Sequence, residues 1–188
     1  MRKQALCLTV LLFCWASIVS AATYDYRVLA TKKTSTMEKE MNEAADAGFV
    51  FAGVMGGETA VGGKEIVVVM TKSIGDAPAE KRSYKLLATS RTSTMQKEMQ
   101  QLGDEGFEYK GQTVFESTFG GKEVSVIMER NAANPGKQII YKLLATSRTS
   151  TMQKELKEAG DAGFRLLGLT VAKTSIGGSE SISILRKD

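Results

Sequence analysis

The sequence predicts an α+β protein of three tandem β-α-β-β repeats, each a three-stranded antiparallel sheet with one helix on a face. Three observations lead to this fold class. The segment YKLLATSRTSTMQKE occurs at 84–98 and is repeated without change at 141–155. A looser copy, YRVLATKKTSTMEKE, occupies 26–40. Each copy is followed by a Gly-Phe pair, an apolar run, a glycine pair and a second apolar run, so the repeat extends beyond the shared segment.

Two short connectors separate the three repeats, which we call units 1, 2 and 3. The chain's two prolines, Pro78 and Pro135, both fall in the connectors. Proline has a fixed φ and no amide hydrogen, so it suits a linker better than a strand ladder. The resulting bounds are 26–72, 84–130 and 141–187 for the units, and 73–83 and 131–140 for the connectors.

Each unit starts with a short strand and a helix. In unit 2 the segment Tyr84–Thr89 is rich in apolar residues and predicts the strand. The helix follows, and its start is predicted from Ser93 and Gln96, which have the spacing of a capping box. In unit 1 the same spacing separates Ser35 and Glu38.

The predicted helix buries one stripe of side chains and ends at a glycine. In unit 2 Met95, Met99 and Leu102 recur at i, i+4 and i+7, the spacing of one helix face. The stripe of unit 3 consists of Met152, Leu156 and Ala159. A glycine followed by phenylalanine comes next in each unit, and glycine accepts the left-handed conformation that ends many helices. These glycines are Gly48, Gly106 and Gly163.

Two further strands complete each unit. In unit 2 the segment Phe107–Glu116 predicts the second strand, and in unit 1 the very apolar Glu65–Met70 predicts the third. We expect the third strand to lie in the centre of the sheet, antiparallel to both neighbours. Glycine pairs between the two strands predict tight hairpin turns, which need positive φ. The pairs are Gly62-Gly63, Gly120-Gly121 and Gly177-Gly178.

The third strands also indicate how the units pack. If Ile66, Val68 and Met70 face the helix in unit 1, the valines between them point to the opposite face. In unit 3 the pattern is reversed, because Ser181 and Ser183 alternate with isoleucines. Apolar faces that the unit's own helix leaves open must be covered, so we expect a compact pseudo-symmetric assembly of the three units.

The first residues predict an export signal. Arg2 and Lys3 precede an apolar run, Ala5–Val19, and small residues follow, which predicts a signal peptide at 1–22 cleaved after Ala21. A membrane anchor is the alternative, but the run is shorter than the roughly 20 apolar residues of a spanning helix. We expect the mature chain to be exported, to a periplasm or out of the cell, without a stable membrane anchor.

Composition excludes several chemistries for the mature chain. Without the leader it has no cysteine, histidine or tryptophan, which rules out a disulfide, a thiol nucleophile and a typical zinc site. Removal of Arg2 and Lys3 leaves 23 of the 25 basic residues against 21 acidic ones, with no long basic block, so nucleic acid is not an expected partner. Methionines at helical spacing are interpreted as core residues rather than copper ligands. We expect no metal and no cofactor.

The order of motifs within a unit resembles a known domain type. In unit 2 the matching pieces are the first strand, Tyr84–Leu87, the helix exit, Leu102–Phe107, and the last strand, Val124–Arg130. Together they resemble the small uncharacterised DUF4177-type domain, although this chain has Gly-Phe where that family commonly has Gly-Trp. The resemblance covers most of each unit and implies the fold. It implies no activity, because the family has no established one.

One repeated segment has the chemistry of an anion site. Units 2 and 3 carry an arginine and three hydroxyl residues at the predicted helix start, and unit 1 has lysine in place of the arginine. Free amides and the helix dipole attract anions there, and arginine adds a bidentate donor. The alternative is that the hydroxyls only cap the helices. The residues are Lys33, Thr34, Ser35, Thr36, Arg91, Thr92, Ser93, Thr94, Arg148, Thr149, Ser150 and Thr151.

Three classes of function remain open. The favoured one is an exported, non-enzymatic repeat protein that acts as a binding or structural module, with a protein partner or a further copy of the chain. The second is an anion- or acidic-glycan-binding protein that uses the three helix starts together. The third, least favoured, is a hydrolase with a cleft between units lined by carboxylates such as Glu98 or phenols such as Tyr84.

Overall fold

A computed structural model of the chain describes residues 22–59, 63–75, 80–116, 122–133, 138–173 and 178–188. Residues 1–21 of the predicted leader, both prolines and most residues of the glycine-pair turns lie outside these ranges. Each unit runs strand, helix, strand, strand. The elements are β1 (Thr23–Thr31), α1 (Thr34–Asp46), β2 (Val50–Thr59), β3 (Gly63–Ile74), β4 (Arg82–Thr89), α2 (Thr92–Asp104), β5 (Glu108–Glu116), β6 (Lys122–Asn131), β7 (Ile140–Thr146), α3 (Thr149–Asp161), β8 (Arg165–Lys173) and β9 (Ser179–Lys187).

Each unit forms its own three-stranded antiparallel sheet. The strand orders are β1-β3-β2, β4-β6-β5 and β7-β9-β8, so the third strand of every unit lies in the centre. In unit 1 Val68 of this strand pairs with Leu29 on one side and Val54 on the other. The predicted α+β fold of three repeated units is confirmed. In each unit the pairing register of the second strand is interrupted at the same place. The interruption lies between Phe51 and Gly53 in β2, between Tyr109 and Gly111 in β5, and between Leu166 and Gly168 in β8.

All three helices end in the same glycine turn. In unit 3 the Phe164 amide donates to the Ala159 carbonyl and the Gly163 amide donates to the Gly160 carbonyl, both at 2.9 Å. This pair of bonds is the Schellman pattern, which needs a left-handed residue at the position of Gly163. The predicted glycines have the required φ: 86° at Gly48, 81° at Gly106 and 86° at Gly163.

The helix starts differ from the predicted capping boxes. Ser35 and Ser93 lie inside the first helical turn, two residues beyond the cap positions Lys33 and Arg91. Glu38 and Gln96 instead hydrogen-bond to the first strand of the following unit. The prediction of capping boxes was therefore wrong, because a strand edge competes for these side chains. The residues at the cap position make no side-chain cap hydrogen bond, and they are Lys33, Arg91 and Arg148.

Consecutive units pack in series along the chain. In each unit the helix covers one face of its sheet, which we call the helix side, and the opposite face is the outer face. Helix α1 packs beside β4 and helix α2 beside β7, while β2 lies against β5 and β5 against β8. The helix side of one unit therefore meets the outer face of the next. The first core joins Met37, Met41 and Val68 of unit 1 to Leu86 and Ile127 of unit 2.

The second core joins units 2 and 3 in the same way. Met95, Met99 and Val126 from the helix side of unit 2 pack with Ile182 and Ile184 from the outer face of unit 3. The reversed polarity of the last strand predicts this placement of the two isoleucines. The predicted packing of the units is thus found, with a helix as well as neighbouring strands filling the space between consecutive sheets.

Candidate functional site

The predicted anion-binding residues lie at three separate helix starts. Each loop keeps its four residues together, and its basic side chain is exposed. The backbone amide of the basic residue donates to a threonine hydroxyl two residues earlier, for example from Arg91 to Thr89 at 3.1 Å. At each of the three starts the residue at the cap position forms no side-chain cap hydrogen bond with the first-turn amides. The same amide-to-threonine bond forms from Lys33 to Thr31 and from Arg148 to Thr146.

A different set of polar side chains forms the interface between units 1 and 2. Asn42 of α1 faces the free edge of β4, where its amide group donates to the Tyr84 carbonyl at 3.0 Å and its oxygen accepts the Tyr84 amide at 2.9 Å. One turn earlier Glu38 accepts the Leu86 amide at 3.1 Å. These side chains satisfy backbone groups that an edge strand otherwise leaves to water.

The interface between units 2 and 3 repeats this arrangement with two glutamines. Gln96 donates to the Tyr141 carbonyl at 2.8 Å and accepts the Leu143 amide at 2.7 Å. Gln100 accepts the Tyr141 amide at 2.9 Å and donates to the Ile139 carbonyl at 3.1 Å. Two polar side chains one helical turn apart therefore hold the first strand of the following unit at both interfaces.

A buried tyrosine also links the units at each interface. The Tyr84 hydroxyl accepts the Phe51 amide of unit 1 at 2.9 Å, and the Tyr141 hydroxyl accepts the Tyr109 amide of unit 2 at 2.8 Å. The Tyr141 hydroxyl also donates to the Phe107 carbonyl at 3.0 Å. Burial raises the pKa of Tyr84 well above its usual range, and burial raises the pKa of Tyr141 to about 12. Both hydroxyls therefore keep their protons in the folded state.

Among the described side chains of unit 2 one carboxylate is buried, that of Glu129, next to the interface with unit 1. Its side chain accepts a hydrogen bond from the Tyr84 hydroxyl at 2.6 Å and pairs with Arg82 at 2.7 Å and Lys110 at 2.9 Å. Burial alone raises the pKa of Glu129, but the tyrosine hydrogen bond and the two cations outweigh burial and leave this pKa below its ordinary value. The carboxylate therefore stays ionised, and it is only 5% exposed.

The tyrosine and carboxylate named for a hydrolase therefore lie apart. Tyr84 is sealed between units 1 and 2. Glu98 lies on α2, where it lines an open groove of about 570 Å³ with Gln101 and Asp104. A larger groove of about 760 Å³ runs past the end of α1, and its described lining has both signs of charge, from Asp25, Asp46, Lys72 and Lys81. Neither groove brings a phenol and a carboxylate together among its described lining residues.

The three units form a stack, and its two ends expose apolar side chains whose counterparts are buried at the internal interfaces. The front face, which we define as the outer face of unit 1, contains Tyr24, Tyr26, Val28 and Met55. Tyr26 is 62% exposed, although the corresponding Tyr84 and Tyr141 are only 1% and 2% exposed. The difference arises because units 2 and 3 each follow another unit, and the described part of the chain places no unit before unit 1.

The opposite end of the stack is equally open. The rear face, which we define as the helix side of unit 3, contains Leu166, Leu169 and Val171 on β8. They are 49%, 52% and 63% exposed. The corresponding Phe51 and Val54 of unit 1 pack against the first core instead. The molecule therefore has two apolar end faces of different composition, and these faces are the candidate functional site.

Sequence reasoning did not find this site. Tyr26, Tyr84 and Tyr141 begin three nearly identical segments, so no local signal separates the exposed tyrosine from the buried ones. The order of the units along the chain was the one signal that could have indicated the exposed faces. In any series of stacked units the first outer face and the last helix side have no neighbour within the chain.

The described residues contain neither a metal-binding cluster nor a membrane-spanning helix. Among the described residues, no three acidic side chains are grouped so that they could hold a metal ion. None of the helices in the described part of the chain has the length and apolar character needed to span a bilayer. Comparison of the chain with protein-family models, with curated proteins and with solved structures gives no match. The DUF4177 resemblance therefore stays a prediction.

Proposed function

We propose that this chain is an exported, non-enzymatic interaction module that binds protein through its two end faces. The observation that supports this proposal is the exposure of Tyr26 and Val28 on the front face and of Leu169 and Val171 on the rear face. Exposed apolar groups that are clustered on one surface mark interaction sites more often than single exposed residues do. A tyrosine in such a cluster offers both apolar area and a hydroxyl for a hydrogen bond.

Photo-cross-linking in cells that produce the protein tests this proposal. A photo-cross-linking amino acid replaces Val28 on the front face or Val171 on the rear face. Ile74 provides a matched control, because it is 58% exposed and the register of β3 places it on the helix side of unit 1, on neither end face. We expect cross-linked protein from positions 28 and 171 and none from position 74. Absence of any cross-linked protein from both end faces would overturn the proposal.

We infer a second candidate function, the binding of anionic glycans or other polyanions at the helix starts. The observation in its favour is that the residues at the cap positions, Arg91 and Arg148 among them, form no side-chain cap hydrogen bond with the first-turn amides. Amides, a helix dipole and a guanidinium together suit a phosphate, sulfate or carboxylate group. The four residues of each loop act as one subsite, and three subsites on one chain add avidity.

Thermal unfolding with and without phosphate, citrate or heparin tests the second candidate. The variant Arg91→Ala, Arg148→Ala removes two subsites, and Lys97→Ala, Lys154→Ala removes the same charge from exposed positions of the same helices. A ligand at a hundred times its Kd adds about 2.7 kcal/mol of stability. We expect this gain in the wild type and the lysine variant only. An equal gain in all three proteins, or none in any, contradicts a site at the helix starts.

A further inference from the structure

We propose that the chain associates head to tail with further copies of itself, the rear face of one copy docking on the front face of the next. This inference rests on the proposed function and names the partner as a second copy. The reason is that the rear face corresponds to the surfaces of units 1 and 2 on which the next unit docks. The front face, in turn, corresponds to the surfaces of units 2 and 3 that dock there. The two internal interfaces thus show twice, within one chain, how the two end faces fit.

The tyrosine hydroxyl gives the first match between the end faces. Tyr84 and Tyr141 each accept a backbone amide from the second strand of the preceding unit, from Phe51 and Tyr109. The residue of unit 3 that corresponds to Phe51 and Tyr109 is Leu166. In the proposed contact the exposed Tyr26 hydroxyl of one copy therefore accepts the Leu166 amide of another.

Glycines on the two end faces give the second match. At the internal interfaces a side chain on Gly103 would collide with the Ile139 carbonyl at 2.6 Å, and one on Gly111 would lie 3.1 Å from Val54. The corresponding end-face glycines are Gly160 on the rear face and Gly53 on the front face. A side chain on either would meet nothing within 4 Å. At both end faces the glycine therefore leaves space for a backbone or side chain of a neighbour. No residue in the described part of the chain occupies that space.

The polar side chains that hold the strand edge give the third match. Gln153 of α3 corresponds to Gln96, and it is exposed with no hydrogen bond among those of the described residues. In the proposed contact it bonds the Tyr26 carbonyl and the Val28 amide, as Gln96 bonds Tyr141 and Leu143. Lys157 replaces Gln100 and departs from the pattern. Its ammonium group can donate to the Tyr24 carbonyl but cannot accept an amide, so this contact has one hydrogen bond fewer than the interface between units 2 and 3.

The symmetry of the proposed contact follows from the difference between the end faces. Because a front face meets a rear face, the contact is heterologous, and an open assembly of any size leaves one free front face and one free rear face at its two ends. Addition of copies then continues until a ring closes, or proceeds as a filament when the rotation between copies does not close. A two-fold dimer of front face on front face uses the front-face residues of both copies and no rear-face residue, so it is a separate arrangement that the experiment distinguishes.

Two variants that each block one end test the proposal on the chain as purified, with its N-terminus established by mass spectrometry. Tyr26→Asp, Val28→Asp blocks the front face, and Leu169→Asp, Val171→Asp blocks the rear face. All four side chains are more than half exposed, so folding is preserved, and thermal unfolding of each variant checks this. Ile74→Asp is the matched control. The measurement is sedimentation velocity over a concentration series.

The expected results follow from the heterologous contact. The wild type and the Ile74 variant form species larger than a dimer as concentration rises, and each blocked variant alone loses association and stays monomeric. An equimolar mixture of the two blocked variants forms a dimer and nothing larger, because one intact front face and one intact rear face remain. That recovery on mixing is specific to a head-to-tail contact.

Other results would overturn self-association, and they show separately whether the protein still acts as an interaction module. Dimers that persist in one blocked variant alone indicate two-fold pairing, and association unaffected by either variant places the contact elsewhere. A monomeric wild type whose position 28 cross-links to a different protein overturns self-association while supporting the interaction module. Cross-linking of position 28 to residues 1–21 of its own chain overturns self-association, because the leader then occupies the front face.

Discussion

At the scale of single residues, polar side chains with buried partners connect the units. Gln96 forms two hydrogen bonds to the edge of β7, and the interface partly shields both of them from water. Such bonds contribute modestly when formed, but a buried amide or carbonyl left without a partner costs more. Gln153 has the same sequence neighbours on α3, and no unit in the described part of the chain packs beside it. Substitution of Gln96 and of Gln153 therefore separates the contribution of the interface to stability from the contribution of the helix.

We predict that Gln96→Ala lowers the free energy of unfolding by about 1–2 kcal/mol, because it leaves the Tyr141 carbonyl and the Leu143 amide without partners. Gln153→Ala, an exposed substitution in the same heptapeptide TSTMQKE, should change it by less than about 0.5 kcal/mol. Urea unfolding of dilute protein measures both values. Equal losses in the two variants would mean that the helix, rather than the interface, accounts for the effect.

The buried tyrosine at the second interface makes stability depend on alkaline pH. Burial raises the pKa of Tyr141 from 10.0 to about 12. Its contribution is therefore complete below pH 10 and is lost as pH rises toward 12, because the unfolded chain releases the proton first. We predict that the free energy of unfolding falls there by up to about 1.4 kcal/mol per pH unit for this group. Urea titrations across this pH range should show a shallower fall for Tyr141→Phe, whereas Tyr24→Phe, at an exposed position, should keep the wild-type slope.

At the scale of elements, the features that the sequence predicted correctly depend on interactions between residues close together in the chain. The glycine stops at Gly48, Gly106 and Gly163, the buried stripe of α2 and the central third strands depend on neighbours within a few residues, and the structure confirms them. The capping boxes failed for the opposite reason. The better partners of Glu38 and Gln96 lie in the next unit, 48 and 47 residues away for the Leu86 and Leu143 amides. Local spacing contains no information about such partners. The stripe predicted for α3 is buried only at Ala159. Met152 and Leu156 are half-buried, because no unit in the described part of the chain packs on the helix side of unit 3.

The helix stop of unit 3 allows a matched test with two glycines three residues apart. Gly163 has φ of 86°, so Gly163→Ala forces alanine into the left-handed region and should lower the free energy of unfolding by about 1–2 kcal/mol. Gly160 lies inside α3 with open space around it, so Gly160→Ala should raise the free energy by about 0.5–1 kcal/mol. Thermal and urea unfolding check both signs. The account of the helix stop is wrong if the two substitutions have the same sign.

At the scale of the whole molecule, position in the stack decides burial. Val124–Glu129 of β6 are all buried, because unit 2 has a neighbour on each side. In β3, by contrast, buried and half-buried residues alternate from Ile66 to Met70, since nothing in the described part of the chain covers the outer face of unit 1. Composition cannot predict this difference, because Val67, Val69 and Ile127 are all apolar. The candidate site is accordingly a property of the unit order, which no single unit encodes.

The stack therefore predicts an order of local stability that hydrogen exchange can measure. In a series of units that contact only their neighbours, a terminal unit has one interface and opens more easily than a central one. In dilute solution we expect amides of β6 to exchange about tenfold more slowly than those of β3, which corresponds to about 1.4 kcal/mol of opening free energy. Peptides covering 122–131 and 63–74 supply the comparison by mass spectrometry. If copies associate head to tail, raising the protein concentration should slow exchange in β1 and α3 and leave β6 unchanged. Equal exchange in β3 and β6 at low concentration would contradict the serial packing of the units as the source of their stability.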